Sequence, residues 1–170
     1  MLLSIIVISH NQREQLKRCV DSILAQQIPF DYEVLISDDA SKDGSFELAR
    51  EYAERYSMVH AYSCDTNTMN PSNKSSRSGY NRCNALQYAR GKYVAHIDGD
   101  DFLIKDSQIY QKQVVLLEQN PECSCCMAND YTMDDGEELS NIQICHPETF
   151  ETGLILKKVD YICNYFRESH

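Results

Sequence analysis

The stretch that most limits the fold is "LSIIVIS", residues 3 to 9, an unbroken apolar and β-branched run of strand length. A strand with one wet face alternates apolar and polar residues, whereas an unalternating run belongs to a strand covered on both faces. Downstream, Leu16, Cys19, Val20, Ile23 and Leu24 recur at helical spacing, which predicts an amphipathic helix from Glu14 to Gln26, ended by "IPFDY". "EVLIS", 33 to 37, predicts a second strand, and Ser45 to Tyr56 a helix with Phe46, Ala49, Ala53 and Tyr56 along one face. "VHAYS" is a third strand. Residues 65 to 79, "DTNTMNPSNKSSRSG", are polar apart from Met69 and lack period, so a long loop is expected, serving as a lid or binding segment or simply as surface.

Asn81 to Arg90 reads as a helix with Gly91 as its stop, and "KYVAHI" as a fourth strand. Asp106 to Gln119 predicts a further helix carrying Ile109, Tyr110, Val114, Leu116 and Leu117. "CSCCMANDYT" then predicts a fifth strand, "MDDGEE" a turn, and the residues after Gly153 a helix. This alternation defines the α/β class, with a mostly parallel central sheet and helices on both faces.

A chain of 170 residues suits one domain. Its formal net charge of −10 argues against a nucleic-acid binder that works by neutralising phosphates, so any phosphate-bearing ligand needs a cation or a few local donors. "MLLSIIVIS" has no basic start and no small-residue cleavage site, and is too short to span a bilayer; the expectation is a cytoplasmic protein with its eight cysteines reduced. "CSCC" at 123 to 126 lacks the CxxC knuckle of zinc sites and reads as thiols buried on a strand.

The polar clusters fall after strands: "SHN" after the first, "DD" after the second, "DGDD" after the fourth. In open α/β sheets ligands bind beyond those carboxyl ends. Neither GxGxxG nor GxxxxGK is present, so no glycine-rich cradle of amides awaits a diphosphate. "DGDD" offers another solution: Gly99 lets the chain turn, and Asp100 and Asp101 present oxygens suited to Mg2+ or Mn2+. An acidic turn capping the next helix is the plainer reading of the same residues, and "SDD" is as readily a turn as a site. His10 borders the site, and His96, inside a strand, reads as a satisfied core histidine.

Taken together, "SIIVISHN", "CVDSILAQ", "EVLISDDASKDGS" and "ALQYARGKYVAHIDGDDF" resemble an inverting family 2 glycosyltransferase of the Rossmann-like GT-A fold, over about residues 3 to 120. The resemblance implies that Ile8, Ser9 and His10 edge a nucleotide pocket, that Asp39 contacts the base with Asp38 beside it, and that Arg77 approaches from the long loop. It places Asp98 and Asp100 near ribose and diphosphate, with Asp100 or Asp101 ligating Mn2+ or Mg2+. Arg82 matches the first member of the family's Arg-Asn pair, but Cys83 replaces the second, and His10 stands where Tyr is usual.

The implied reaction moves a sugar from a nucleotide-diphospho-sugar, a UDP-sugar foremost, to a hydroxyl of a saccharide or lipid-linked acceptor, as in polysaccharide biosynthesis. Work on such acceptors implies a protein peripheral to the inner face of the membrane. The family's general base lies beyond His170, since Asp130, Asp134 and Asp135 follow "DGDD" too soon. Residues 1–170 are therefore expected to be one transferase domain truncated at its C-terminus, with 1–120 binding the nucleotide-sugar and 121–170 beginning the acceptor part. Two other readings stand: a nucleotide-binding module or inactive fragment without turnover, and a Mg2+-dependent phosphohydrolase using Asp98 as nucleophile and Asp100 as acid.

Overall fold

The computed structural model describes residues 1–69, 77–105 and 107–126, with short strands at 131–132, 143–144 and 155–157. The chain divides into two compact units, Met1–Gln108 and Ile109–His170. In the first, β1 (Leu3–Ser9), β2 (Tyr32–Asp39), β3 (Val59–Cys64) and β4 (Tyr93–Asp98) form a parallel sheet in the order β3-β2-β1-β4. Helices α1 (Arg13–Leu24), α2 (Ser45–Arg55), the single turn α3 (Thr66–Met69) and α4 (Arg77–Leu86) connect the strands.

Every residue of β1 is buried, as is β2 from Glu33 onward, because each strand is paired on both edges and covered on both faces. Ile6, Ile8 and Leu35 pack with Ala85 of α4 on one face. Ile5, Val7, Val34 and Ile36, which alternation turns to the other face, are 0 % exposed. Each such burial stabilises the fold by about 1.5–3 kcal/mol.

Three expectations are corrected here. The buried face of α2 is Ser45, Leu48, Ala49 and Tyr52, not the line through Phe46, Ala53 and Tyr56. Tyr52 is drawn inward because its hydroxyl donates to Asp21 of α1 at 2.5 Å. Next, α4 begins at Arg77, three residues inside the stretch expected to be loop, and ends at Leu86, well before Gly91. Gly91 is needed for close approach, since a Cβ there would stand 2.5 Å from the backbone nitrogen of Ser4. Last, His96 is exposed rather than in the core, because β4 ends the sheet order and shows alternate residues, Val94 and His96, to solvent.

The second unit holds α5 (Ile109–Gln119), β5 (Cys123–Cys126), β6 (Tyr131–Thr132), β7 (Gln143–Ile144) and β8 (Ile155–Lys157). β5 pairs antiparallel with β8, and β6 with β7. The helix expected after Gly153 is therefore a strand at 155–157, where its backbone serves as partner for β5. The expected fifth strand is two separate ones, and Cys123, Cys125 and Cys126 are half-buried rather than buried. The turn "MDDGEE" and residues 127–130 lie outside the described residues.

At the amino ends of the strands, fully buried Glu33 accepts hydrogen bonds from Ser4 Oγ at 2.7 Å, Arg90 N at 2.8 Å and Arg90 Nε and Nη2 at 2.9 and 2.5 Å. Burial alone would raise its pKa, but the hydrogen bonds from Arg90 and Ser4 outweigh it and hold the carboxyl below the usual range. A carboxyl lowered in the folded state stabilises fully above its unfolded pKa, and that contribution is lost as pH falls through the folded value. Glu33→Gln is thus expected to cost about 2 kcal/mol at pH 7 and to flatten the acid limb of stability against pH, as read from urea midpoints between neutrality and pH 3.

Candidate functional site

Parallel pairing in register sets Ser9 beside Asp38 and Ile8 beside Asp98, so three strands end at one level. The order also reverses at β1: the chain leaves β1 for β2 and β3 on one side, then crosses to β4 on the other. Beyond this switch point lies a cleft of about 360 Å³. Ile8, Ser9, His10 and Gln12 line it from the end of β1, and Asp39 from β2. Arg77, Ser78 and Asn81 of α4 form another wall, with Asp98 and Asp100 at the end of β4.

The loops after β1 and β2 are cross-linked. Asn11 N–H donates to Ser41 Oγ at 2.8 Å, Lys42 N–H to Asn11 Oδ1 at 2.8 Å, and Arg13 N–H to Asp43 Oδ2 at 2.9 Å. Asn11 and Ala40 have φ of 54° and 50°, and for Ala40 this left-handed conformation costs on the order of 1 kcal/mol, which the cross-links hold in place. They also clamp His10. With Asn11 Oδ1 committed to Lys42, its amide nitrogen donates to His10 Nε2 at 3.0 Å, and His10 Nδ1–H donates to the Asp39 carbonyl at 2.7 Å.

The two carboxylates of "SDD" have different work. Asp38, fully buried, accepts from Ser41 N–H at 2.8 Å and Ser41 Oγ at 2.6 Å, and it does not line the cleft. Burial raises its pKa despite those bonds. Asp39 accepts from Thr66 N–H and Oγ1 at 2.8 and 2.7 Å, and from Arg77 Nε and Nη2 at 2.9 and 2.6 Å. Burial would raise Asp39, but Thr66 and the Arg77 guanidinium hold it below the usual range.

Asn81, missed at the level of sequence, is 3 % exposed and ties three strand ends together. Its Nδ2 donates to the Ser37 carbonyl at 3.0 Å and the Ser9 carbonyl at 3.5 Å, while Cys64 donates its thiol to Oδ1 at 3.2 Å. Its helical spacing to Ala85, within the helix expected from Asn81, was the available signal. Cys83 is exposed, and Asn84 reaches Ser37 Oγ at 3.2 Å instead. Gln12 and Ser78 were also missed.

Asp98 is ion-paired with Arg82. Asp98, Asp100 and Asp101 each place a carboxylate oxygen within 4.8 Å of the others. Gly99 N–H donates to the Ile8 carbonyl at 2.9 Å, and a Cβ on Gly99 would lie 2.6 Å from that oxygen, so only glycine allows this approach. Below, the fully buried Cys19 thiol is pushed up to about 12 by burial and then by Asp101, Asp100 and Asp98. Among the described residues, Ser9 Oγ is the one buried side-chain oxygen or nitrogen without a hydrogen-bond partner, and Ser9 lines the cleft. Clustered hard oxygens beside an unsatisfied hydroxyl fit Mg2+ or Mn2+ and a polar ligand.

The fold is that of GT-A glycosyltransferases. The crystal structure of S. aureus TarS 1-349 in complex with UDP-GlcNAc superposes with a TM-score of 0.59 at 20% identity, covering 82% of this chain and 37% of that one. The chain belongs to glycosyl transferase family 2, whose model matches residues 4–166. A Bacillus spizizenii poly(ribitol-phosphate) beta-glucosyltransferase is 30% identical over 104 residues, 61% of this chain and 15% of that protein. An uncharacterized Mycobacterium tuberculosis protein is 34% identical over 126 residues, 73% of this chain and 34% of that protein. The chain thus spans about a third or less of the length of these relatives.

Asn81→Leu is expected to destabilise the protein by about 2 kcal/mol, because it leaves buried carbonyls unpaired, while Cys83→Ser stays within about 0.5 kcal/mol. Chemical denaturation of the two variants side by side checks the contrast.

Proposed function

We propose that this chain is the donor-binding part of an inverting glycosyltransferase that moves a sugar from a nucleotide-diphospho-sugar, a UDP-sugar foremost, to an acceptor hydroxyl with Mn2+ or Mg2+. The observation that carries this reading is the meeting, at the switch point of the sheet, of three clustered carboxylates, a positioned arginine and the unpartnered Ser9 hydroxyl. The names of the relatives support it, since one acts as a glucosyltransferase and the TarS structure holds UDP-GlcNAc.

In this reading Ile8, Ser9 and His10 form the floor on which the nucleoside rests. Arg77 has five N–H donors and commits part of them to Asp39, leaving others for the ligand. Asp39 acts largely through Arg77, because its carboxylate already accepts four hydrogen bonds. Asp38 holds the loop that carries His10's partners rather than touching ligand. Arg82 orients Asp98 toward ribose and diphosphate.

Asp100 and Asp101 would hold the metal, which when bound offsets charge on the leaving diphosphate. A carboxylate would take the acceptor's proton; Asp130, Asp134 and Asp135 lie outside the described residues. The acceptor is a saccharide or lipid-linked saccharide, met at the inner face of the membrane. No helix among the described residues is long and apolar enough to cross it.

Calorimetric titration of UDP with and without Mn2+ tests the proposal, with GDP and dTDP in parallel. Metal-dependent binding is expected, weakened at least about tenfold, or about 1.4 kcal/mol, in an Asp100→Ala, Asp101→Ala double variant. Equal binding by that variant, or phosphate release from phosphomonoesters without sugar transfer, would sink the reading.

A further inference from the structure

The segment from Asp98 to Ser107 carries the acidic cluster, and from residue 101 it forms neither helix nor strand among its described residues. It is held instead by one face of α1 and the turn that follows it. Cys19 and Ser22 lie three positions apart on one face of α1, and Gln26 follows in the turn after it. The Cys19 thiol donates to the Asp98 carbonyl at 3.5 Å. Ser22 Oγ donates to the Cys19 carbonyl at 2.7 Å and accepts from Leu103 N–H at 2.9 Å. Gln26, only 7 % exposed, donates to the Ile104 carbonyl at 3.2 Å and accepts from Ser107 Oγ at 3.1 Å. Arg18 adds a cation–π contact, its guanidinium carbon 4.0 Å from the centre of the Phe102 ring.

These anchors bracket the two carboxylates that are exposed, Asp100 and Asp101: Asp98 is fixed on one side, Phe102 and Leu103 on the other. Three carboxylates held this close repel one another, and a free loop would relax by letting them separate. We propose that Ser22 and Gln26 are positioning residues that keep Asp98, Asp100 and Asp101 gathered for a divalent cation. They act through the backbone of residues 98–104 and touch neither metal nor nucleotide. This rests on the donor-binding reading above.

Loss of such outer support costs about 10–100-fold in metal affinity in other sites. The test is Mn2+ uptake by electron paramagnetic resonance at saturating UDP, for wild type, Ser22→Ala, Ser22→Thr and Gln26→Leu, with thermal midpoints recorded alongside. The expected result is Mn2+ affinity lowered about tenfold or more in Ser22→Ala and Gln26→Leu, and kept in Ser22→Thr, which preserves the hydroxyl. If Gln26→Leu does not fold, the Ser22 pair decides alone. Folded Ser22→Ala with wild-type affinity, or Ser22→Thr as weak as Ser22→Ala, would overturn the positioning role. Wild type that takes up no Mn2+ with UDP would overturn the donor-binding reading itself, a different failure from variants that match a binding wild type.

Discussion

The pairing of β1 on both edges governs the rest of the structure. Because β2 and β4 run parallel to it and in register, whatever follows the last apolar residue of each strand is delivered to one level. The register is enforced by burial: a one-residue slip would turn Ile6 and Ile8, or Ile5 and Val7, away from their packing partners. The site is thus a consequence of core packing, and its backbone contact with the core is short, through Gly99 N–H on the Ile8 carbonyl.

Within that frame the carboxylates are sorted by what surrounds them. Glu33 is buried and fully bonded by Ser4 and Arg90 at the far end of the strands. Asp38 is consumed by its own turn. Asp39 fixes an arginine. Among the described residues, Asp98, Asp100 and Asp101 are the ones that cluster and stay open to solvent to a useful degree. Sequence cannot distinguish these roles, because all are Asp or Glu at strand ends; the distinction lies in which donors the fold brings from residues about 30 to 60 positions away.

The four strands of the parallel sheet, the helices after β1 and β2 and the level of the site were legible because the apolar runs are long and periodic. The start of α4 was not: "SSRSG" has no apolar period, and the helix there is secured by Arg77 reaching Asp39 and by Asn81 bridging three strands, both tertiary contacts. The face of α2 was misread for the same reason, since a hydroxyl-to-carboxylate bond between helices, Tyr52 to Asp21, decides which aromatic turns inward. Gly91 and Gly99 were read as turn formers, yet what each satisfies is a close approach to the backbone of β1, which no local signal reveals.

The charge balance of the cleft argues for the cation independently of any motif. Two arginines stand at the site, and each is already committed to a carboxylate, Arg77 to Asp39 and Arg82 to Asp98. Those pairs cancel, and Asp100 adds its own charge to the cleft of a protein of net charge −10. A diphosphate entering such a cleft meets repulsion rather than a cradle, since no glycine-rich loop of amides faces it. A divalent ion held by these carboxylates would supply the positive charge that such a diphosphate needs. The same ion would offset the mutual repulsion of the carboxylates on the segment that Ser22 and Gln26 anchor.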